Sequence, residues 1–130
     1  MSTQLNNLAF YVNGEQFAYE ADSLKWSDGK GTFSIRNAVV GGQQTIQIFS
    51  EDIKTKYGRL MVDLPTTVTN VKAVRAWKNN LNKNTLEIIG NIDGEDLSRI
   101  FTLAAIQDDP EFEAATEGKI SLEWRSNPVQ

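Results

Sequence analysis

Residues 8–14 read Leu-Ala-Phe-Tyr-Val-Asn-Gly, and this stretch shows the pattern that decides the fold. Leu8, Phe10 and Val12 recur at every second position, which is the period of a β-strand with one face in a core. The dipeptide that follows, Asn13-Gly14, favours a hairpin turn because both residue types tolerate positive φ. We therefore expect a β-hairpin in which residues 17–26 form the return strand.

The same alternation recurs along the rest of the chain, between short clusters of turn residues. Gly41-Gly42 and Asp93-Gly94 mark two further hairpin turns, and Pro65 marks the end of a strand. About eight strands are predicted in this way. After the first hairpin the alternating positions are Phe33, Ile35, Ile46, Ile48, Leu60, Val62, Leu64, Ile120, Leu122 and Trp124, together with residues 85–91 and 97–103.

One segment, at about residues 67–81, has a different period. Its apolar residues recur at intervals of three and four, which predicts an α-helix with Thr67 or Thr69 as N-cap. These residues are Val71, Val74, Trp77 and Leu81. The chain is therefore predicted to be mainly β, a β-sandwich or a partly closed barrel with one flanking α-helix, in a single domain over residues 1–130.

Composition removes several classes of function. The chain has 130 residues, enough for one core, and it contains neither cysteine nor histidine. Thiolate nucleophiles, imidazole bases and most zinc or copper sites are thereby excluded. A formal charge of -4 argues against binding to nucleic acid through its phosphates. We expect no catalytic residue, no cofactor and no metal.

Targeting signals are not evident. Residues 1–7 are polar and lack the basic region and apolar stretch of a secretory signal, and no apolar run is long enough to span a bilayer. We expect the chain to be made and kept in the cytoplasm, without membrane insertion.

Four features could be interpreted as sites, and each has a structural alternative. Residues 91–96 resemble a calcium loop, but the glycine is misplaced and the bidentate glutamate is missing, so a hairpin turn is favoured. Gly41-Gly42 lacks the Lys-Ser/Thr pair of a phosphate loop. The three tryptophans could stack on sugars, but each is in phase with the apolar face of its segment. Paired acids could act in hydrolysis, but here they surround a proline in a turn-rich loop: Asp108, Asp109, Glu111, Glu113 and Glu117.

The segment at about residues 38–58 combines too many apolar residues for a solvated loop with too many glutamines for a core strand. A long protruding hairpin that pairs with a neighbouring subunit fits both facts, because the neighbour would cover the open strand edges and the apolar side chains. The alternative is an ordinary strand of the sandwich. The predicted intersubunit contacts are Gly41, Gly42, Ile46, Ile48, Phe49, Ile53 and Tyr57.

The order of several short motifs resembles the tail tube proteins of contractile-tailed bacteriophages. The resemblance covers nearly the whole chain, and it depends on order and spacing, since no single motif is specific. The motifs are Tyr11-Val12-Asn13-Gly14, Leu24-Lys25-Trp26, residues 49–58, Leu64-Pro65-Thr66-Thr67, Arg75-Ala76-Trp77-Lys78, Phe101-Thr102-Leu103-Ala104 and residues 120–128.

This resemblance implies a subunit of hexameric rings, whose inner strands join into one barrel and which stack as a hollow tube beneath the phage head. The implied partners are further copies of the chain, the sheath, a tape measure protein inside the lumen, and the baseplate and tail terminator proteins. DNA would pass through without specific binding. The implied location is the virion tail, assembled in the bacterial cytoplasm.

Two surfaces are assigned on this basis. An acidic or neutral lumen lets DNA slide, and the polar faces of the middle strands are its candidates: Ser34, Arg36, Thr45, Gln47, Arg59 and Asp63. The two arginines do not suit an acidic bore, so either they pair with Asp63, Glu51 or an acid of a neighbour, or the faces are assigned wrongly. Lys72, Arg75 and Lys78 form a basic helix face that is expected to meet an acidic patch of the sheath.

Other classes of function stay open at this point. A tube subunit of a phage-derived bacteriocin or a type VI secretion system would have the same fold and differ in what passes through it. A monomeric carbohydrate-binding module is the alternative among binding proteins, and a hydrolase with paired acids is the alternative among enzymes.

Overall fold

A computed structural model of the chain describes residues 6–42, 44–52, 56–81 and 83–129. Its described part contains nine strands and one helix, and the fold is mainly β as predicted. The elements are β1 (Asn6–Val12), β2 (Glu15–Phe17), β3 (Lys25–Ser27), β4 (Thr32–Val40), β5 (Gln44–Asp52), β6 (Gly58–Pro65), α1 (Val68–Asn79), β7 (Asn84–Ile92), β8 (Glu95–Ile106) and β9 (Lys119–Ser126).

Seven strands form one antiparallel sheet in the order β2-β1-β7-β8-β9-β6-β3. Strand β8 joins its two halves, because it pairs with β7 up to Ala104 and with β9 only at Ala105 and Ile106. A bulge lies at this change of partner, where the register shifts and Leu103 has a positive φ of 52°. The two halves enclose one core, which gives the predicted sandwich or partly closed barrel.

Both halves of the sheet supply the core with alternate residues. Leu60, Val62 and Leu64 of β6 are all buried, as are the matching positions of β9. Trp124 is fully buried and its ring lies 5.6 Å from that of Trp77, measured between centroids. The alternation predicted for these two strands is confirmed, and both tryptophans are core residues.

The predicted helix is confirmed, with a shorter range. Thr67 is the N-cap, and its hydroxyl accepts a hydrogen bond from the backbone N–H of Asn70 at 3.1 Å. Val74 and Trp77 are buried against the sheet, and Trp77 meets the ring of Phe17 edge to face at 4.8 Å. Leu81 lies beyond the end of the helix and is 63% exposed, so the prediction that it belongs to the apolar face of the helix was wrong.

Asn84, the one fully buried polar side chain in the described part of the chain, ties the end of the helix to the sheet. Its amide nitrogen donates to the carbonyls of Trp77, Asn80 and Ala104 at 3.0–3.2 Å. Its amide oxygen accepts from the side chains of Asn13 and Asn80. This network adds a side-chain donor to carbonyls at the helix C-terminus, where regular helical hydrogen bonding ends.

The predicted return strand over residues 17–26 was wrong. The chain leaves the sheet after Phe17 and re-enters it at Lys25 on the opposite edge, so that β2 and β3 are the two end strands. The intervening 18–24 segment bonds to both halves. The Tyr19 hydroxyl donates to the Leu8 carbonyl of β1 at 2.6 Å, and the Glu20 N–H donates to the Asp63 carbonyl of β6 at 2.8 Å.

Strands β4 and β5 form a separate two-stranded sheet. We call this hairpin, residues 32–52, the arm, and the seven-stranded sheet with α1 the body. The arm begins at Thr32, earlier than the predicted protruding segment at about 38–58, and Gly41-Gly42 lies in its turn as expected. Both arm strands are nine residues long, so the hairpin is as long as any two-strand ladder in the body.

Candidate assembly surfaces

The arm is exposed on both faces, which an ordinary strand pair in a sandwich is not. Ile35 and Phe49 are directly opposite each other in the register and are 53% and 60% exposed. Val39, on the same face of β4, is 67% exposed. The other face carries Ser34 and Arg36, which are also exposed. The arm therefore presents an apolar face and a polar face, and the body covers neither.

The arm register divides the residues that were predicted to line the lumen. Ser34 and Arg36 share a face with Ile48 and Ser50, whereas Gln47 pairs with Asn37 on the face that carries Ile35 and Phe49. Thr45 pairs with Val39 in the backbone register. The reason is the loop, because Val40 pairs with Gln44 and three residues, not two, separate the strands. One additional loop residue exchanges the faces of the returning strand.

The other two predicted lumen residues lie on the outer face of β6 in the body. The Arg59 guanidinium contacts the Glu123 carboxylate at 3.3 Å, and the Asp63 carboxylate contacts the Lys119 ammonium at 3.5 Å. Arg59 thus has an acidic partner within the chain, although this partner is neither Asp63 nor Glu51. Arg36 and Arg59 belong to different sheets, and no single sheet face contains all six predicted residues.

The residues that were predicted to form intersubunit contacts do not all lie on one surface. Gly41 and Gly42 lie in the exposed turn with φ of 64° and 83°, and a Cβ added at either would meet open space. Ile48 is half-buried, and Ile46 pairs with Ala38 in the register. Tyr57 lies outside the arm, directly before β6, and the guanidinium of Arg125 in β9 lies 4.4 Å above its ring. Ile53 lies outside the described residues.

Two of the three predicted sheath-facing residues are exposed on α1. Lys72 and Arg75 are exposed on the helix. Lys78 is half-buried, and its ammonium donates to the carbonyls of Ile106 and Asp108 at 3.3 and 2.9 Å. Lys78 therefore holds the end of β8 against the helix, and the basic surface consists of Lys72 and Arg75.

The body covers parts of its own strand edges, which sequence reasoning did not detect. The 18–24 segment occupies the free edge of β6, because the Ser23 hydroxyl accepts from the Asp63 N–H at 3.1 Å in addition to the Glu20 contact. The Gln107 N–H donates to the Glu123 carbonyl on the open side of β9 at 2.8 Å. The end strands β2 and β3 have only three residues each. Short end strands and covered edges are how proteins prevent unwanted strand pairing.

The structure locates the features that were considered as active sites. The five acids of residues 108–117 are exposed in an irregular loop, beside an open hollow of about 470 Å³. Within residues 6–42, 44–52, 56–81 and 83–129, no three acidic side chains are grouped to hold a metal ion. Asp93-Gly94 is the turn between β7 and β8. Trp77 and Trp124 are buried in the core, and Trp26 is half-buried.

No helix in the described part of the chain is long and apolar enough to cross a membrane. A scan against models of known protein families found no match, and a search of curated proteins found no relative.

Proposed function

We propose that this chain is a structural subunit that assembles with copies of itself into hexameric rings, stacked as the hollow tail tube of a contractile-tailed bacteriophage. The observation that carries the proposal is the arm, a long two-stranded sheet with apolar side chains in water. The order of motifs along the chain resembles that of tail tube proteins, and for this reason we propose a tail tube and not another kind of assembly.

The arm requires a partner for physical reasons. An isolated two-stranded hairpin is only marginally stable in water, and three strands or a packing surface are needed for independent stability. Ile35, Val39 and Phe49 are each more than half exposed, and they occupy one face. A neighbouring copy that covers this face and pairs with the arm edges removes both costs, so assembly stabilises the arm.

Charge is consistent with a conduit for DNA. The chain has a formal charge of -4, and a ring of such chains repels phosphates or is indifferent to them. A basic lining would bind DNA and release counterions at every contact, which would slow its passage. DNA ejection through the tube requires no specific binding.

The remaining partners follow from the same proposal. The sheath would contact Lys72 and Arg75 on α1, and the tape measure protein would occupy the lumen during assembly. Baseplate and tail terminator proteins would meet the two ends of the tube. The chain would be located in the virion tail after assembly in the host cytoplasm.

The test is negative-stain electron microscopy of the concentrated protein, together with its elution volume from a sizing column. We expect rings or tubes of uniform width with a central channel. Val39→Asp in the arm should leave a folded monomer that forms no rings, because a charge on this face cannot be covered by a neighbour. Val68→Asp is the matched control, since Val68 is 72% exposed at the start of α1, away from the arm.

Circular dichroism and thermal unfolding of both variants show whether the fold is kept. A Val39→Asp protein that forms normal tubes would exclude the apolar arm face as the assembly surface. A wild-type protein that stays monomeric at every concentration and salt would contradict the tube function itself.

A further inference from the structure

One edge of the body differs from the others. The Ser98 carbonyl accepts from the guanidinium of its neighbour Arg99 at 2.9 Å, and the Thr102 carbonyl accepts from the Asn127 N–H at 3.0 Å. Alternate residues of β8 therefore direct their backbone groups away from β7. Asp96, Ser98 and Ile100 belong to this set, and no described strand is paired with them on that side.

A groove runs beside this edge. It has a volume of about 460 Å³, and its walls are Ser98, Ile100 and Thr102 on one side and Asn127, Pro128 and Val129 on the other. Ile100 is 48% exposed. Among the described residues, the outward carbonyl of Ser98 is contacted by the half-buried side chain of Arg99, which also pairs with the Asp28 carboxylate at 3.3 Å. An incoming strand would replace the contact of Arg99 with the Ser98 carbonyl. Such an edge accepts an extended segment by β-augmentation.

Charge identifies which segment fits. Arg36 is exposed on the polar face of β4, and Asp96 is exposed on the outer face of β8. Within the described residues neither side chain makes an ion pair, whereas six other charged residues are paired at 3.3–3.5 Å. Opposite charges directly across an antiparallel pair stabilise it, and like charges destabilise it.

We infer that the open edge of β8 receives strand β4 of a second copy of this chain, with Arg36 opposite Asp96. Every strand pair described in this molecule is antiparallel, and an antiparallel register with that pair also sets Ser34 opposite Ser98. All four residues are exposed on the polar faces of their strands. This inference rests on the proposed function and names the surface on which the arm docks.

The first test exchanges charges between the two strands. Arg36→Asp and Asp96→Arg should each raise the protein concentration needed for assembly roughly ten-fold or more, because each places like charges opposite one another. The double variant, Arg36→Asp with Asp96→Arg, should assemble at the wild-type concentration. Sizing and electron microscopy measure the onset of assembly, and circular dichroism verifies that each variant is folded.

The second test uses the absence of cysteine from the chain. A protein with only Ser34→Cys is mixed with a protein with only Ser98→Cys, so that a disulfide between the two variants joins two copies. We expect this heterodimer on a non-reducing gel under assembly conditions. The matched control replaces Ser98→Cys by Ser121→Cys on the exposed outer face of β9, and it should form little disulfide.

The outcomes separate the inference from the proposed function. If wild-type tubes form but the single charge variants assemble normally, or the double variant is not rescued, the inference is overturned and the tube function stands. The inference is also overturned, and the tube function stands, if tubes form but no disulfide joins the Ser34→Cys and Ser98→Cys proteins. If the wild-type protein never assembles, both fail.

Discussion

The arm and the body both contain long strands with the same alternation, but they differ in what covers these strands. Ile88 in β7 is fully buried, whereas Ile35 in β4 is 53% exposed, although both occupy alternating positions in nine-residue strands. Alternation therefore indicates a strand with two unlike faces. It does not indicate whether the apolar face is covered by the same chain or by another.

The two regions also differ in how their strand edges are covered, although β8 of the body keeps one open stretch. In the body, Tyr19 covers the edge of β1, while Glu20 and Ser23 cover that of β6. The arm is paired only within its own hairpin among the described strands. A chain that covers edges in one region and leaves them open in another has open edges that are available for a partner. This contrast is the basis of the assembly proposal.

The largest difference in stability between the two regions is expected when the buried Asn84 of the body is replaced. Asn84→Ala should reduce the free energy of unfolding by about 3 kcal/mol or more, because it removes a fully buried amide together with its hydrogen bonds to the helix end, to β8 and to Asn13. The expected change is measured by urea denaturation monitored by fluorescence. It acts on the body and leaves the arm surface unchanged.

The matched control is Asn37→Ala, since Asn37 is exposed in β4 of the arm. It should change the stability of the monomer by less than about 0.5 kcal/mol. If both variants lower stability equally, the arm is as strongly coupled to the core as the body, and the division between the two regions is wrong.

A smaller effect is expected at the 18–24 segment. Tyr19→Phe removes the hydroxyl that donates to the Leu8 carbonyl, and it should reduce stability at neutral pH by about 1 kcal/mol. Burial raises the pKa of Tyr19 above its usual value of 10.0. The folded state thus holds this proton more tightly than the unfolded state, so the contribution is complete below pH 10.0 and is lost as the pH rises through the folded pKa.

Urea denaturation of the wild type and of Tyr19→Phe at a series of pH values measures this dependence. The difference in stability should be constant below pH 10.0 and should shrink above it. If the difference in stability stays constant into the alkaline range, the pKa of the Tyr19 hydroxyl is the same in the folded and the unfolded state, which contradicts the prediction.

The sequence was sufficient for the elements that local pattern determines. The buried positions of β6 and β9, the helix with its Thr67 cap, and the hairpin turns at residues 13–14 and 93–94 are as predicted. In each case the apolar period and the turn residues lie within one short window. Such windows report burial of a face without reference to the rest of the chain.

The errors arose where distant residues decide the local structure. Residues 17–26 have the composition of a strand, but Glu20 and Ser23 bond to Asp63, and the chain turns between two sheet edges instead. The predicted lumen residues of the arm lie on both of its faces, because three residues separate β4 from β5. The Gly41-Gly42 pair alone does not indicate this loop length. Lys78 was assigned to the surface because its acceptors, Ile106 and Asp108, are far away in sequence.

Hydrogen exchange of backbone amides tests the central claim most directly, which is that a neighbouring copy completes the arm. It is followed by mass spectrometry at a dilution that keeps the protein monomeric and at a concentration that gives tubes. We predict that peptides from residues 32–52 exchange rapidly in the monomer and become strongly protected in the assembly, while core peptides such as 58–65 are protected in both. Arm peptides that exchange at the same rate in both states would contradict the account.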